Sequence, residues 1–314
     1  MKKLLALLLA VLMVFAVAAC SDKDEQEKNK GDNSKYEHKT IDDTDDTYGS
    51  DTFYFENVDS ETVVITKFST TNDAAHTVTI PAYFEKEVGE GEAPQYLRVV
   101  GVAQEAFVCS SSVAALVFPT EAQYRERNAN FDMSTHTFVI GDYAFRDCVA
   151  LTALKLPAYV TEIGEGAFNN CTSLQSVTFE GESQLAAIKD YAFIDCISLK
   201  EIELPASVQT IGDGAFFECF GLESVIINEG TTAVGMKAFQ NCKAMAIVKL
   251  PASLETIGKY AFHGSEALYE EGLEYAGTSE IINAYIKSLA LIEDPKDEIP
   301  ADPDAPAEPA DPAE

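Results

Sequence analysis

An α/β-type stacked repeat is the fold class this sequence predicts: a solenoid with one parallel concave sheet, a β cap at its N-terminal end and a helical cap at its C-terminal end. Two observations predict it. The dipeptide Ala-Phe recurs with its phenylalanine at 107, 145, 168, 193, 216, 239 and 262, at spacings of 38, 23, 25, 23, 23 and 23. Apolar residues then recur at fixed offsets from each phenylalanine, and a constant period in this range marks stacked coils that share one core.

The segment from Ile188 to Ile211, IKDYAFIDCISLKEIELPASVQTI, shows one unit. Three residues after the phenylalanine comes cysteine (Cys148, Cys171, Cys196, Cys219, Cys242), and six after it comes Leu151, Leu174, Leu199, Leu222 or Met245. Alternation in Glu201-Ile202-Glu203 predicts a short strand with Ile202 turned inward. Pro205, which lacks an N–H, suits the exit from that strand. Ile-Gly pairs such as Ile163-Gly164 and Ile211-Gly212 turn the chain. The spacing of three in Ala-Phe-x-x-Cys-x-x-Leu suits a helical or 3₁₀ segment on the outer side.

The full pattern C-x-x-L-x-x-[IVL]-x-[IL]-P-x-x-[VL]-x-x-I-G-x-x-A-F resembles the BspA-like, or treponemal-type, leucine-rich repeats. The resemblance covers residues 78–268 and implies a leucine-rich-repeat solenoid that works as a surface binding protein. The end coils depart from it. Cys109 falls one place early after Phe107, and Ser265 stands where a cysteine follows Phe262.

The first two coils are longer. Pro81 to Phe107 and Pro119 to Phe145 each span 26 residues, against 11 from Pro157 to Phe168, so both carry the same fifteen extra residues. These inserts occupy about 82–97 and 120–138. Strands near 52–55 and 62–68, within a cap over residues 51–77, cover the open N-terminal edge. A helix over 279–293, with Ile281, Ile282, Tyr285, Ile286 and Leu289 at helical spacing, covers the other end within residues 269–294.

Both termini differ in kind from this centre. Residues 1–19 combine Lys2 and Lys3 with an apolar run of signal-peptide length, ending in Val17-Ala18-Ala19 before Cys20. That sequence resembles a bacterial lipobox, which implies that Cys20 carries lipid and that the lipid alone ties the protein to a membrane. Residues 20–50 read as an acidic tether, since Ser21 to Ser50 holds ten acidic and five basic residues with few aliphatic side chains. Residues 295–314, with six prolines and seven acidic residues, read as an extended tail.

A net charge of −30 opposes binding to nucleic acid, whose phosphates need a basic footprint. No cofactor or metal is called for, and the reading is not of an enzyme. His38, His76, His136 and His263 are scattered, no CxxC pair occurs, and the sequence holds no GxSxG elbow. The in-register cysteines read as buried reduced thiols, because parallel neighbours do not point at each other.

What remains is a surface. The exposed strand positions are Ala115, Ala153, Ser176, Glu201, Ser224 and Ile247 in one row and Val117, Lys155, Thr178, Glu203, Ile226 and Lys249 in the next. Ile226 and Ile247 break an otherwise solvated pattern, with Glu201, Glu203 and Lys249 beside them. In the second insert, Tyr124, Arg125, Arg127 and Phe131 form a basic and aromatic cluster of the kind enriched at binding hot spots. The expectation is a lipid-anchored envelope protein, exposed at the cell surface, whose solenoid meets a protein ligand of a host or of the envelope; host adhesion is what the family resemblance implies. The alternative is an accessory or scaffolding lipoprotein in a glycan-handling complex.

Overall fold

The computed structural model describes residues 37–41, 51–86, 93, 95–265, 268, 273–275 and 277–289. The lipobox-like segment with Cys20, most of the acidic tether and the proline-rich tail lie outside the described residues.

Each coil contributes one strand to each of two sheets. Strands β4 (His76–Thr79), β7 (Val113–Val117), β9 (Ala153–Leu156), β11 (Ser176–Phe179), β13 (Glu201–Leu204), β15 (Ser224–Ile227), β17 (Ile247–Leu250) and β19 (Leu273–Tyr275) form an eight-stranded sheet, parallel throughout. The expected burial alternation holds in it. Ile202 and Leu204 on β13 are buried, while Glu201 and Glu203 are exposed.

Opposite runs an eleven-stranded sheet. It begins with β1 (Glu37–Ile41), β2 (Asp51–Asn57) and β3 (Thr62–Thr70), paired antiparallel, and takes in β5 (Tyr83–Lys86) as an antiparallel partner of β6 (Gln95–Val102). It continues in parallel through β8 (Phe138–Ile140), β10 (Val160–Ile163), β12 (Ala187–Ile188), β14 (Thr210–Ile211), β16 (Ala233–Val234) and β18 (Thr256–Ile257). The return path is therefore a second sheet and not a row of helices. Residues 37–41, expected in the tether, instead pair along the edge of β2.

The Ala-Phe-x-x-Cys segment forms the third side. Its turns close with i→i+3 bonds, such as Cys148 N–H to the Phe145 carbonyl at 3.3 Å, as a spacing of three anticipates. A helix cannot propagate, because the residues two before and two after each phenylalanine have positive φ, from Glu105 at 57° and Cys109 at 59° to Tyr260 at 63° and Gly264 at 76°. The alternation points every second N–H along the solenoid axis. In one coil Tyr143, Phe145 and Asp147 donate to the carbonyls of Glu165, Ala167 and Asn169 at 2.7–2.9 Å. These inter-coil bonds offset a left-handed cost of roughly 1–2 kcal/mol per non-glycine residue.

The glycines of the Ile-Gly pairs are required for a different reason than turning. Gly164 does not have positive φ, but an added Cβ would lie 2.6 Å from the Asp142 nitrogen of the preceding coil. Close approach of two backbones, not a turn, favours glycine there, and a coil with a side chain at that place must shift to admit it. Lys189 occupies the same place in one coil and reaches Glu162 at 2.7 Å.

Inside, the phenylalanines form a column. From Phe145 to Phe262 successive rings stack at 5.0–5.3 Å between centroids and within 9° of parallel. Phe107 and Phe68 continue the column at 4.7 Å steps. Beside it runs a column of free, fully buried cysteines. Each thiol donates to the phenylalanine carbonyl of the preceding coil, as Cys219 does to Phe193 at 3.1 Å and Cys148 to Phe107 at 3.3 Å. Burial raises the pKa of these thiols, so they stay protonated.

Helix α2 (Glu280–Leu289) covers the last coil, packing on β18 with Ile282 and Leu289 buried. Ile281, read as part of the apolar stripe, is 65% exposed because it falls on the outer side. The Phe262 N–H has no following coil to receive it and donates to the Tyr285 hydroxyl at 3.0 Å. Tyr285→Phe leaves that donor without this acceptor, with an expected loss of about 1–2 kcal/mol in urea unfolding.

A second test concerns Asp195, whose carboxyl is shifted up to about 6 by burial, by the charge of Glu218 and by a hydrogen bond to it. The fold therefore favours the protonated acid. This contribution is complete below the ordinary pKa of 3.8 and is lost as pH rises through about 6. Asn170 and Asn241 occupy the same place in other coils and donate to Asp147 and Glu218. Asp195→Asn is expected to raise stability by about 1–2 kcal/mol at pH 7.5 and by almost nothing at pH 3.5, read from unfolding curves at the two values.

Candidate functional site

Two surfaces follow from this fold, and they lie on different coils. The first is the open face of the eight-stranded sheet. Ser224 pairs with Ile247 and Ile226 with Lys249, so Ile226 and Ile247 are diagonal neighbours on β15 and β17. Ile247 is 47% exposed and Ile226 half-buried, beside the paired positions Glu201 and Glu203 on β13. Lys249 reaches Glu274 at 3.6 Å, and Glu203 accepts from Asn228 at 3.3 Å. All five predicted residues of this face are brought together. Toward the N-terminal end the same face carries small side chains, Ala115, Ala153 and Ser176.

The second surface is made where the two inserts meet. Thr120 caps helix α1 (Glu121–Arg125), with its hydroxyl accepting from Gln123 N–H and the Gln123 side chain accepting from Thr120 N–H. The chain then returns through a 3₁₀ turn at Met133–Thr135, capped by Asp132, into β8. Tyr124 is fully buried here. Its ring lies 5.1 Å from Phe131, 4.5 Å from His136 and 5.8 Å from Tyr159, and its backbone carbonyl accepts from the Tyr83 hydroxyl at 2.8 Å.

The predicted cluster is therefore divided. Tyr124 and Phe131 are the core of the insert and not surface anchors, because a short insert must bury aromatic area of its own to stay folded. Arg125 is exposed but is engaged by Glu121 at 2.6 Å, four residues back on the helix. Arg127 does reach the surface and lies 4.0 Å over the Tyr96 ring of the first insert.

Between the inserts and the β2–β3 turn lies a groove of about 730 Å³, lined among others by Ser60, Tyr83, Tyr96, Arg98, Arg127 and Asn130. Arg98 sits 5.2 Å over Phe131 and contacts His136 Nδ1 at 3.4 Å. Sequence reasoning missed Tyr83, Tyr96 and Arg98. The signal was the equal extra length of two consecutive coils, which places both inserts at one corner of the solenoid, where they pack on each other.

Among the described residues no group of histidine, cysteine or acidic side chains is placed to hold a metal ion. The groove's perturbed neighbours are structural. Burial raises the pKa of Tyr124 and Tyr159, and burial followed by the Arg98 charge lowers His136 to about 4.

A stacked array of short parallel strands with a period near 23 and a phenylalanine column defines a leucine-rich-repeat solenoid. Residues 138–269 match the BspA type leucine rich repeat region in six copies, and that repeat region is of the BspA type. Proteins with such repeats are typically found at the cell surface and serve as interaction scaffolds without enzymatic activity. A leucine rich repeat protein of T. pallidum is similar at 21% identity, over 83% of this chain and 96% of its own, with a TM-score of 0.47. The pneumococcal vaccine antigen PcpA is similar at 19%, over 76% of this chain and 70% of its own, with a TM-score of 0.44. For a leucine-rich repeat protein from Eubacterium ventriosum the values are 21%, 68%, 49% and 0.47. No curated protein matches the chain. No helix of the described residues is long and apolar enough to cross a membrane.

His136 supplies a test of how the groove is held. Its folded pKa is depressed, so its stabilising contribution is present above the ordinary value of 6.5 and is lost as pH falls toward 4. His136→Phe keeps a flat ring against Tyr124 and removes the titration. Between pH 7 and 4.5 the parent is expected to lose about 1–3 kcal/mol more than the variant, measured by urea unfolding followed by circular dichroism.

Proposed function

We propose that this protein is a lipid-anchored binding protein of the bacterial cell surface, which presents its solenoid to a protein ligand, with adhesion to a host protein as its role. The observation that carries the reading is the exposed patch around Ile226 and Ile247. On a sheet face whose other outward positions are small, polar or charged apart from the single Val117 on β7, two aliphatic side chains at diagonal positions, flanked by Glu201, Glu203 and Lys249, form an apolar centre with a charged rim. That is the arrangement of a protein-binding hot spot, in which a few central side chains dominate and the rim excludes water. The lipobox-like sequence at Cys20 supports the anchor, and the acidic tether would hold the solenoid away from the membrane.

The test has two parts. Protease added to intact cells is expected to remove the protein; protection until lysis would exclude adhesion and favour the envelope-scaffold role. If the protein is removed, purified protein is expected to block attachment of the cells to an immobilised host matrix protein. Ile247→Asp should then weaken that block by about tenfold or more without lowering the melting temperature, in keeping with loss of at least 1.4 kcal/mol at a hot spot.

A further inference from the structure

The groove between the inserts carries a second site, of different ligand chemistry from the sheet patch. The chain has four arginines in all. Arg125 pairs with Glu121 at 2.6 Å and Arg146 with Asp147 at 3.3 Å. The other two, Arg98 and Arg127, form no ion pair with any described carboxylate, and both line this groove. In a protein with 52 acidic residues, two guanidinium groups in one concavity with no ion pair to a described carboxylate are a departure from the rest of the described surface. Each is held by its cation–π contact, Arg98 over Phe131 at 5.2 Å and Arg127 over Tyr96 at 4.0 Å. A planar guanidinium fixed on a ring leaves its N–H edge available for pairing with a carboxylate: Arg127 keeps its whole fork, while Arg98 engages His136 Nδ1 at 3.4 Å with one terminal nitrogen and keeps its remaining N–H groups.

The rest of the lining restricts the ligand. Ser60, Gln95, Asn128, Asn130 and the Tyr83 hydroxyl supply neutral donors and acceptors, which complement the hydroxyls of a sugar ring. Glu61 and Asp132 also line the groove, and their charges, with the acidity of the whole molecule, repel a densely anionic chain. A ligand with one carboxylate among many hydroxyls satisfies both conditions. The geometry points to a glycan bearing a carboxylated sugar, sialic or uronic, bound in the groove with its carboxylate on Arg98 and Arg127.

The full chain, purified in a zwitterionic detergent, is titrated calorimetrically with 3′-sialyllactose and with trigalacturonate, and separately with lactose, maltotriose and a pentaglutamate peptide. Saturable binding of one of the two acidic sugars is expected, about tenfold or more tighter than its neutral counterpart. Which of the two binds identifies the source of the carboxylate. Arg127→Gln, an exposed position, should weaken that binding about tenfold with an unchanged melting temperature, and Arg127→Lys, which keeps the charge and loses the fork, should fall between. Ile247→Asp should leave it unaltered, which separates this site from the sheet patch. The inference is overturned if neither acidic sugar binds, if neutral sugars bind equally well, if Arg127→Gln has no effect, or if pentaglutamate binds more tightly than both sugars.

Discussion

Rings of phenylalanine stacked face to face at 5.0–5.3 Å set the step of this molecule. Strand neighbours in a sheet lie about 4.8 Å apart, so a flat ring repeated at every coil fills the interior with only a small offset. Everything else in a coil is arranged around that ring. The alanine before it is fully buried and presents its carbonyl to the phenylalanine N–H of the preceding coil. The cysteine after it is small enough to pack beside the column and long enough to reach a phenylalanine carbonyl. Serine at that place would be shorter and would bring a stronger demand for hydrogen bonding into an apolar interior, while alanine would lose the contact. The left-handed residues on either side of the phenylalanine are tolerated because each directs an N–H to the next coil. A single coil has none of these partners, so its stability resides in its neighbours.

That dependence explains how much of the fold could be read from the sequence. The period, the inward positions of the eight-stranded sheet and the buried thiols were all legible because each is a repeated demand of one interior. The second sheet was not, since strands as short as Ala187–Ile188 and Thr210–Ile211 have no alternation to detect. Nor was the form of the Ala-Phe-x-x-Cys side. A spacing of three correctly signals i→i+3 bonds, yet it is silent on whether they propagate. The sign that they do not lies in the residue two places after the phenylalanine, Asp147, Asn170, Asp195 and Asn241, types that adopt positive φ most readily. The strand at residues 37–41 was missed for another reason. Its composition is that of a solvated segment, and its pairing with the edge of β2 has no signal in its own composition.

The candidate sites divide along the same line. Ile226 and Ile247 were identifiable because they break a repeated pattern, and a departure from a repeat is visible in the sequence itself. The insert has no repeat against which to judge a residue. Tyr124 and Phe131 therefore looked like surface aromatics beside arginines, when they are the small core that gives the insert its shape. Composition cannot separate these two uses of an aromatic side chain; contact with Tyr159 and His136 does. Arg98, from a strand of the preceding coil, enters the groove only because that coil carries an insert of equal length.

A solenoid that repeats one coil has little variety to offer a ligand, and this one limits variety further by filling its interior identically at each step. Its surface can differ from coil to coil only where the repeat is broken. Here it is broken in two ways that cost the core nothing. One is the exchange of outward strand residues, which changes the surface of a sheet without touching the phenylalanine column. The other is lengthening of two adjacent coils at one corner, where added chain can build its own small core and present arginines against the charge of the whole molecule. The first produces a patch of exposed aliphatic side chains with charged neighbours, and the second a concavity lined by arginine, tyrosine and amide side chains. A uniform scaffold can carry both because neither alters the stacking that holds it together.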